Sequence, residues 1–377
     1  MNGNRVRTVL VGIGAIGRKY ADFINKGLVP GMELTAVCAR SRESHDWIRE
    51  NLGKETAVYG DIEEMFQRQE EFDAVIVASP HSSHLEYTVR SLAAGKHVMC
   101  DKPAGISIKE ARVMGAAAHE ARTVYFMMFH RRTYPKYTAL KELIDSGELG
   151  ELRRVSVKDI TSFRTRFYHK SCSWRSSWNG ENGGMLLNQG QHSLDIWQWL
   201  FGMPETIYAY IPFGKYNGFK VDDEASLLME YKNGMTGSFF MTTGEPAGED
   251  TIEVVGTKGR AVLTGARLEV CVYQEDMRDY ANHAQVTSSQ EIQFTTRYSE
   301  YEEMDEEKPY IIMLNNFTQA VLERSDLIAP GEEGERAMEL ANAAYLSAWT
   351  EKKVTLPLDA GEYERYLEQA KKEELIN

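Results

Sequence analysis

The sequence predicts an α/β chain in two domains: a parallel sheet wrapped by helices, then a largely antiparallel sheet with one helix inserted. Three observations predict this. The chain has 377 residues, and a domain usually holds roughly 100–200. Its first third alternates short apolar runs with amphipathic stretches, as a parallel sheet covered on both faces requires. Its second half is a succession of strand-like runs separated by turn residues.

The first strand is read at Arg5–Val11, and a helix follows with Ile16, Tyr20, Phe23 and Ile24 on one face. Further apolar runs stand at Leu34–Ala39, Ala74–Ala78, His97–Cys100 and Thr123–Met128. In the second half the runs are Leu152–Ile160, Thr206–Ile211, Ala225–Tyr231, Met235–Thr243 and Thr251–Val255. The inserted helix spans the neighbourhood of Asn188–Phe201. Asn233-Gly234 between two such runs predicts a hairpin with a type I′ turn. Ala266–Tyr310 has weak periodicity and receives no element, while Tyr310–Glu323 and Glu332–Thr350 read as helices. Glu300–Glu307 and Lys371–Glu374 read as solvated surface or a fraying end.

Composition narrows the function. A formal charge of −13 repels phosphate backbones, and no basic patch stands out from short runs such as His130-Arg131-Arg132, so nucleic acid is not an expected partner. Cys38, Cys100, Cys172 and Cys271 are scattered with no CxxC pair, which predicts no metal site and suits a reducing cytoplasm. Residues 1–5 lack the apolar stretch of a signal peptide, and no apolar span is long enough to cross a membrane.

Gly12-Ile13-Gly14-Ala15-Ile16-Gly17 sets G-x-G-x-x-G directly after a strand and at the mouth of a helix. Gly12 permits the tight turn, Gly14 lets a pyrophosphate approach the backbone, and Gly17 lets helix and strand pack closely. Free N–H groups at the helix start then face the anion. This context predicts a dinucleotide cofactor. The second strand ends Val37-Cys38-Ala39-Arg40-Ser41-Arg42, without the acid that binds a ribose 2′-hydroxyl. Arg40 and Ser41 suit a 2′-phosphate, so NADP is favoured over NAD, although Arg40 stacking on adenine remains the alternative.

Ala94-Gly95-Lys96-His97-Val98-Met99-Cys100-Asp101-Lys102-Pro103 resembles the A-G-K-H-V-x-x-E-K-P signature of the glucose–fructose oxidoreductase / inositol dehydrogenase / rhizopine catabolism (Gfo/Idh/MocA) family. Ser79-Pro80-His81-Ser82-Ser83-His84 looks like that family's turn beneath the nicotinamide, and Phe129-His130-Arg131-Arg132 is similar to its F-N-R-R-F segment. Gly183-Gly184-Met185-Leu186-Leu187-Asn188-Gln189-Gly190-Gln191-His192-Ser193-Leu194-Asp195 resembles its G-G-x-x-x-(D/N)-x-G-x-H-x-x-D, and Gly331–Leu358 its closing helix and strand. Two departures stand out. Asp101 replaces the usual Glu, with a shorter reach, and Asn188 stands where many members carry Asp.

The resemblance implies a Rossmann domain over residues 1–128 and a substrate-binding and oligomerisation domain with an open, mostly antiparallel sheet over 129–377. It implies an NAD(P)-dependent oxidoreductase acting on a sugar, glycoside or polyol, associated as a homo-oligomer through its open sheet faces. Cofactor contacts are then expected from Gly12, Gly14, Ala15, Ile16, Gly17, Arg40, Ser41, Ser79, Pro80, His84, Asp101 and Lys102.

Hydride transfer from a carbinol needs a base for the hydroxyl proton and stabilisation of a developing alkoxide. Lys102 is expected to serve the oxyanion, and His192, whose side chain titrates near neutrality, to act as base, since Asn188 cannot. Asn188, His192 and Asp195 are spaced to share one helix face, with Asn188 on a substrate hydroxyl and Asp195 on substrate or supporting the imidazole. Tyr168, His169, Trp174, Arg175 and Trp178 cluster before that helix; Tyr168, Trp174 and Arg175 are expected to contact the sugar. Two other readings stay open: a hydrolase that redox-cycles bound NAD on a glycoside, and a non-catalytic NAD(P)-binding regulator, against which Lys102 and His192 argue.

Overall fold

The computed structural model describes residues 5–53, 55–172, 174–288, 292–323 and 325–376; most of the amino-terminal stretch read for a signal peptide, residues 1–4, lies outside them. The chain divides into two compact units, Met1–Thr133 with Met304–Met338 and Tyr134–Glu303 with Glu339–Asn377. The contiguous 1–128 and 129–377 division expected from sequence differs from these units, because a later segment returns to the first.

The first unit is built from β1 (Val6–Val11), α1 (Ala15–Asn25), β2 (Met32–Cys38), α2 (Arg42–Asn51), β3 (Ala57–Tyr59), α3 (Ile62–Gln67), β4 (Ala74–Val77), α4 (His84–Ala93), β5 (His97–Cys100), α5 (Ile108–Ala121) and β6 (Tyr125–Met127). Its sheet runs β3-β2-β1-β4-β5-β6, with every pairing parallel. β4 is buried at all positions, which explains its unbroken apolar run. α1 turns Tyr20, Ala21, Phe23 and Ile24 inward, while Ile16 is only half-buried. β3, with three residues, is too short to leave a periodic signal.

The second unit continues with α6 (Pro135–Asp145), β7 (Leu152–Asp159), α7 (Arg166–Lys170), α8 (Gly190–Phe201), β8 (Thr206–Tyr210), β9 (Glu224–Glu230), β10 (Thr236–Thr242), β11 (Thr251–Gly256), β12 (Gly259–Thr264), β13 (Arg267–Tyr273), α9 (Met277–His283) and β14 (Phe294–Glu300). Then come α10 (Lys308–Glu323), which belongs to the first unit, α11 (Gly334–Thr350), β15 (Val354–Thr355) and α12 (Ala360–Ile376). The sheet order is β14-β13-β12-β11-β7-β10-β9-β8-β15, antiparallel except for the β7–β10 pair. One face carries the core residues Val155, Leu227, Met229, Phe239 and Val254. On this face Trp197 of α8 meets Phe239 edge-on, ring centroids 6.0 Å apart, and its indole N–H donates to the Tyr231 hydroxyl at 2.9 Å. The other face exposes Tyr208, Tyr210, Leu228, Phe294 and Tyr298.

Three sequence expectations are corrected. The 266–310 stretch, which received no element, supplies β13 and the edge strand β14; the seven residues of β14 are all exposed, so no inside–outside alternation marks it. The Asn233-Gly234 turn is not type I′, because only Gly234 takes positive φ, at +82°. Gly234 N–H donates to the Tyr231 carbonyl and Tyr231 N–H to Met235, the pattern of a type I turn closed by a left-handed glycine. Finally, Lys371–Glu374 is not a frayed end. It lies in α12, where Glu374 accepts the backbone N–H groups of Trp178 and Asn179, each at 2.9 Å.

Candidate active site

In the first unit, the carboxyl ends of β1 and β4 lie side by side where the strand order reverses, the crevice in which such sheets bind ligands. Gly12 follows β1 with φ +90°, and a Cβ there would stand 2.7 Å from the Ala78 carbonyl oxygen and the Ser79 Cα. A Cβ on Gly17 would stand 2.2 Å from the Gly12 carbonyl oxygen. At Gly14, among the described residues, an added Cβ meets nothing within 4 Å. Gly14 caps α1 without a side-chain bond, and the first turn of α1 carries no acid, whereas Glu43, Glu63, Glu86 and Glu110 occupy the first turns of α2 to α5. The uncapped N–H groups, the open space beside Gly14 and the missing carboxylate fit a dinucleotide pyrophosphate. Ala15 is exposed at the mouth of this helix.

Ser79 and Pro80 follow β4, the first half-buried and the second exposed. The Ser79 hydroxyl pairs with that of Ser83 at 2.7 Å. His84, expected to touch cofactor, is 1% exposed, and its two ring nitrogens lie 2.8 Å from the carbonyl oxygens of Ser79 and Pro103. It braces the loop after β4 against the loop after β5 and has no ring nitrogen left for a ligand. Burial pushes its imidazole down, against the two carbonyls and Asp101, which push it up. Asp101 accepts the Lys102 N–H at 2.8 Å and the Tyr20 hydroxyl at 3.3 Å. Burial raises this carboxyl, and the Lys102 charge counteracts the shift. Its oxygens hold the chain on either side, and Lys102 projects half-buried from the end of β5.

At the end of β2, Ser41 caps α2, accepting the Ser44 N–H at 3.1 Å. Arg40 is exposed, and no ion pair engages it among the described residues. His130 stacks on Tyr310, centroids 4.2 Å apart; burial and then Arg131, Lys102 and Lys19 push its imidazole down to about 3, which keeps it neutral.

In the second unit, the Gly183-Gly184 pair lies where side chains would collide with the Tyr345 hydroxyl and the Asp222 carbonyl. The chain then turns through Met185–Gln189 and enters α8 at Gly190. Asn188 therefore precedes the helix rather than sharing its face, and it is not the cap, a position taken by Gln189. Its side-chain amide donates to Glu181 at 3.2 Å. Within α8 only His192 and Trp199 are not buried. The helix is anchored to β7 by the Ser193 hydroxyl donating to Asp159. Asp195, expected to contact substrate, is fully buried and accepts the Gln198 amide at 3.0 Å, so it supports α8 from within.

The preceding loop is knitted to this segment. Gln189 donates to the Tyr168 hydroxyl at 2.7 Å, and His169 Nδ1 lies 2.5 Å from the Ser176 hydroxyl. The Arg175 guanidinium lies over the Tyr168 ring, 4.1 Å from its centroid, and over Trp174 at 5.1 Å. Tyr168, Trp174 and Arg175 are half-buried. His169 and Trp178 are core residues, Trp178 packing on Tyr345 and Trp349 with centroids 5.1 Å away in each case.

Sequence reasoning missed two carboxylates that shape the site. Asp222 is buried and accepts Gly184 N–H at 2.9 Å, Leu186 N–H at 2.7 Å and the Tyr345 hydroxyl at 2.6 Å. Burial pushes its carboxyl up to about 6, although all three donors pull it down. Glu181, also buried, accepts Ser176 N–H at 2.8 Å besides the Asn188 amide. The only signal for Asp222 was an acid run, Asp222-Asp223-Glu224, abutting an apolar strand.

Residues 6–129 match the oxidoreductase family with an NAD-binding Rossmann fold, and residues 137–262 match the GFO/IDH/MocA C-terminal domain. The chain is 28% identical over 267 residues to trans-1,2-dihydrobenzene-1,2-diol dehydrogenase of Bos taurus, covering 68% of this chain and 74% of the bovine one. It is 25% identical over 358 residues to myo-inositol 2-dehydrogenase of Thermotoga maritima, covering 93% and 98% of the two chains. Among solved structures, the WlbA dehydrogenase of Bordetella pertussis, in complex with NADH and UDP-GlcNAcA, has a TM-score of 0.76 at 23% identity, covering 94% of this chain and 100% of that one. At that identity the likeness speaks for the fold. Both sheets are thus of the kind these relatives share, both sequence halves match in order, and the chain belongs to the Gfo/Idh/MocA family of NAD(P)-dependent oxidoreductases.

Proposed function

We propose that the chain is a dehydrogenase or reductase acting on a secondary hydroxyl or ketone of a sugar, glycoside or polyol. The observation that carries this reading is the presence of both Lys102, at the carboxyl end of a parallel strand, and His192, half-buried on α8. When bound, the nicotinamide supplies the hydride acceptor or donor. His192 takes the hydroxyl proton as the carbinol becomes a ketone, and Lys102 stabilises negative charge on that oxygen. Asn188, Trp174, Arg175 and Tyr168 grip the remaining hydroxyls and ring faces. The polyol substrates named for the inositol and dihydrodiol enzymes support the class. Gly12, Gly14, Ala15, Ile16, Gly17, Ser79, Pro80 and Lys102 contact cofactor in this reading, and Asp101 acts by holding Lys102. Self-association through the sheet face bearing Tyr208, Tyr210, Leu228 and Tyr298 accounts for its exposed apolar surface. Four free cysteines go with a reducing cytoplasm.

A panel of glucose, glucosides, inositols and small 2-hydroxy acids, with cofactor reduction as readout and product NMR to find the ketone, tests the class. Activity confined to hydroxy acids would sink it. Aglycone release without net cofactor reduction would point to the redox-cycling hydrolase instead.

NADP is the cofactor proposed over NAD, because Arg40 is exposed without an ion pair at the end of β2 and Ala39 stands where an acid would bind a ribose hydroxyl. Titrating both cofactors onto stripped protein is expected to give tighter NADP binding, a preference that Arg40→Ala reduces. Tighter NAD binding would assign Arg40 to adenine stacking.

A further inference from the structure

Residues 160–180 carry Arg164, Arg166, Lys170 and Arg175 and not one Asp or Glu, in a chain whose formal charge is −13. The fold concentrates two of these charges on one ring: the guanidinium of Arg164 lies 4.9 Å, and that of Arg175 4.1 Å, from the centroid of Tyr168. Two like charges gathered on one ring repel, and an anion beside them relieves that repulsion. None does among the described residues. Neither arginine has a carboxylate within ion-pair distance; Asp223, the acid that acts on neighbouring His169, takes the N–H groups of Tyr216 and Asn217 on its Oδ2 at 2.8 and 2.9 Å, and its Oδ1 is buried without a hydrogen bond to either guanidinium. Of the ten N–H donors the pair carries, the structure matches one to the Phe163 carbonyl, at 2.9 Å, and one to the Cys172 sulfur, at 3.9 Å. The Nε of each is buried without a partner. Stacking on an aromatic ring fixes the plane of a guanidinium and leaves its edge for a forked acceptor. Arg164 and Arg166, with Thr165, Tyr216 and Asn217, also line a cleft of about 380 Å³.

We infer that Arg164 and Arg175, stacked on Tyr168, form an anion subsite, and that the sugar substrate bears a carboxylate or a phosphate held there. The inference rests on the sugar-oxidoreductase reading and names its substrate class as anionic. The Tyr168–Gln189 bond and the Glu181 link from Ser176 to Asn188 join this subsite to the segment that carries His192.

The test compares glucose, glucuronate and glucose 6-phosphate as substrates for the full chain with cofactor. Glucuronate or glucose 6-phosphate is expected to show a KM roughly 10–100-fold below that of glucose, the scale of a charge-assisted pair. Added salt should narrow that ratio. R164Q and R175Q should each collapse it toward one. R164K and R175K, which keep the charge and lose the fork, should give intermediate ratios and serve if a Gln variant does not fold. The glucuronate and phosphate arms decide which anion is held. Equal KM values for neutral and anionic sugars in the unmodified protein would overturn the subsite and leave the sugar reading standing. If no sugar is oxidised, calorimetric binding of glucuronate and glucose 6-phosphate still decides: binding lost in R164Q upholds the subsite, and no binding overturns it.

Discussion

Lys102→Met and His192→Ala are each expected to slow the chemical step by about 10²–10⁴-fold, the usual contribution of a positioned acid–base group. In the proposed mechanism the two serve the same oxygen of the substrate. Lys102 offers a positive charge to the developing alkoxide, and methionine keeps the stem while removing that charge. His192 accepts the proton, and alanine leaves only solvent to do so. Both variants should still bind cofactor, because the α1 terminus and the Gly12–Gly14 loop remain intact, although Lys102→Met gives up one proposed contact. Single-turnover measurements of cofactor reduction, with cofactor binding followed separately by fluorescence, check this. A near-unchanged rate in one variant would remove that residue from the mechanism.

Asp222→Ala is expected to lower stability by roughly 2–4 kcal/mol, because it strands the N–H groups of Gly184 and Leu186 and the Tyr345 hydroxyl in the interior. Burying the charge already offsets part of what those bonds contribute, so the loss falls short of their sum. Its carboxyl ionises at about 6 when folded against 3.8 ordinarily. The folded state therefore binds the proton more tightly. The resulting stability is fully present below about pH 4 and is lost as pH rises through about 6. Urea denaturation of both proteins between pH 4 and 7 should show the gap narrowing as pH rises. A loss under about 1 kcal/mol at pH 5, against the usual cost of orphaned buried donors, would mean that water replaces the carboxylate. Activity should fall alongside stability, since Gly184–Leu187 leads into Asn188 and His192.

What was legible from sequence was whatever has a local, periodic or steric cause. The apolar runs at Val6–Val11 and Ala74–Val77 report burial on both faces. The glycine spacing reports contacts that forbid a Cβ at Gly12 and Gly17 and the open space at Gly14. The helix carrying His192 announced itself through its apolar density, although Asn188 falls just outside it because the turn from Met185 ends only at Gly190. What tertiary structure alone decided depends on partners far along the chain. β7 is seated between β10 and β11, a choice that no single strand encodes. Asp195 proved buried and Lys371–Glu374 proved structural, because Gln198 and the N–H groups of Trp178 and Asn179 receive them. Asp222 and Glu181 look like ordinary surface acids in a charged sequence. Only folding brings backbone donors to them, and with those donors the carboxylates hold the segment on which His192 stands.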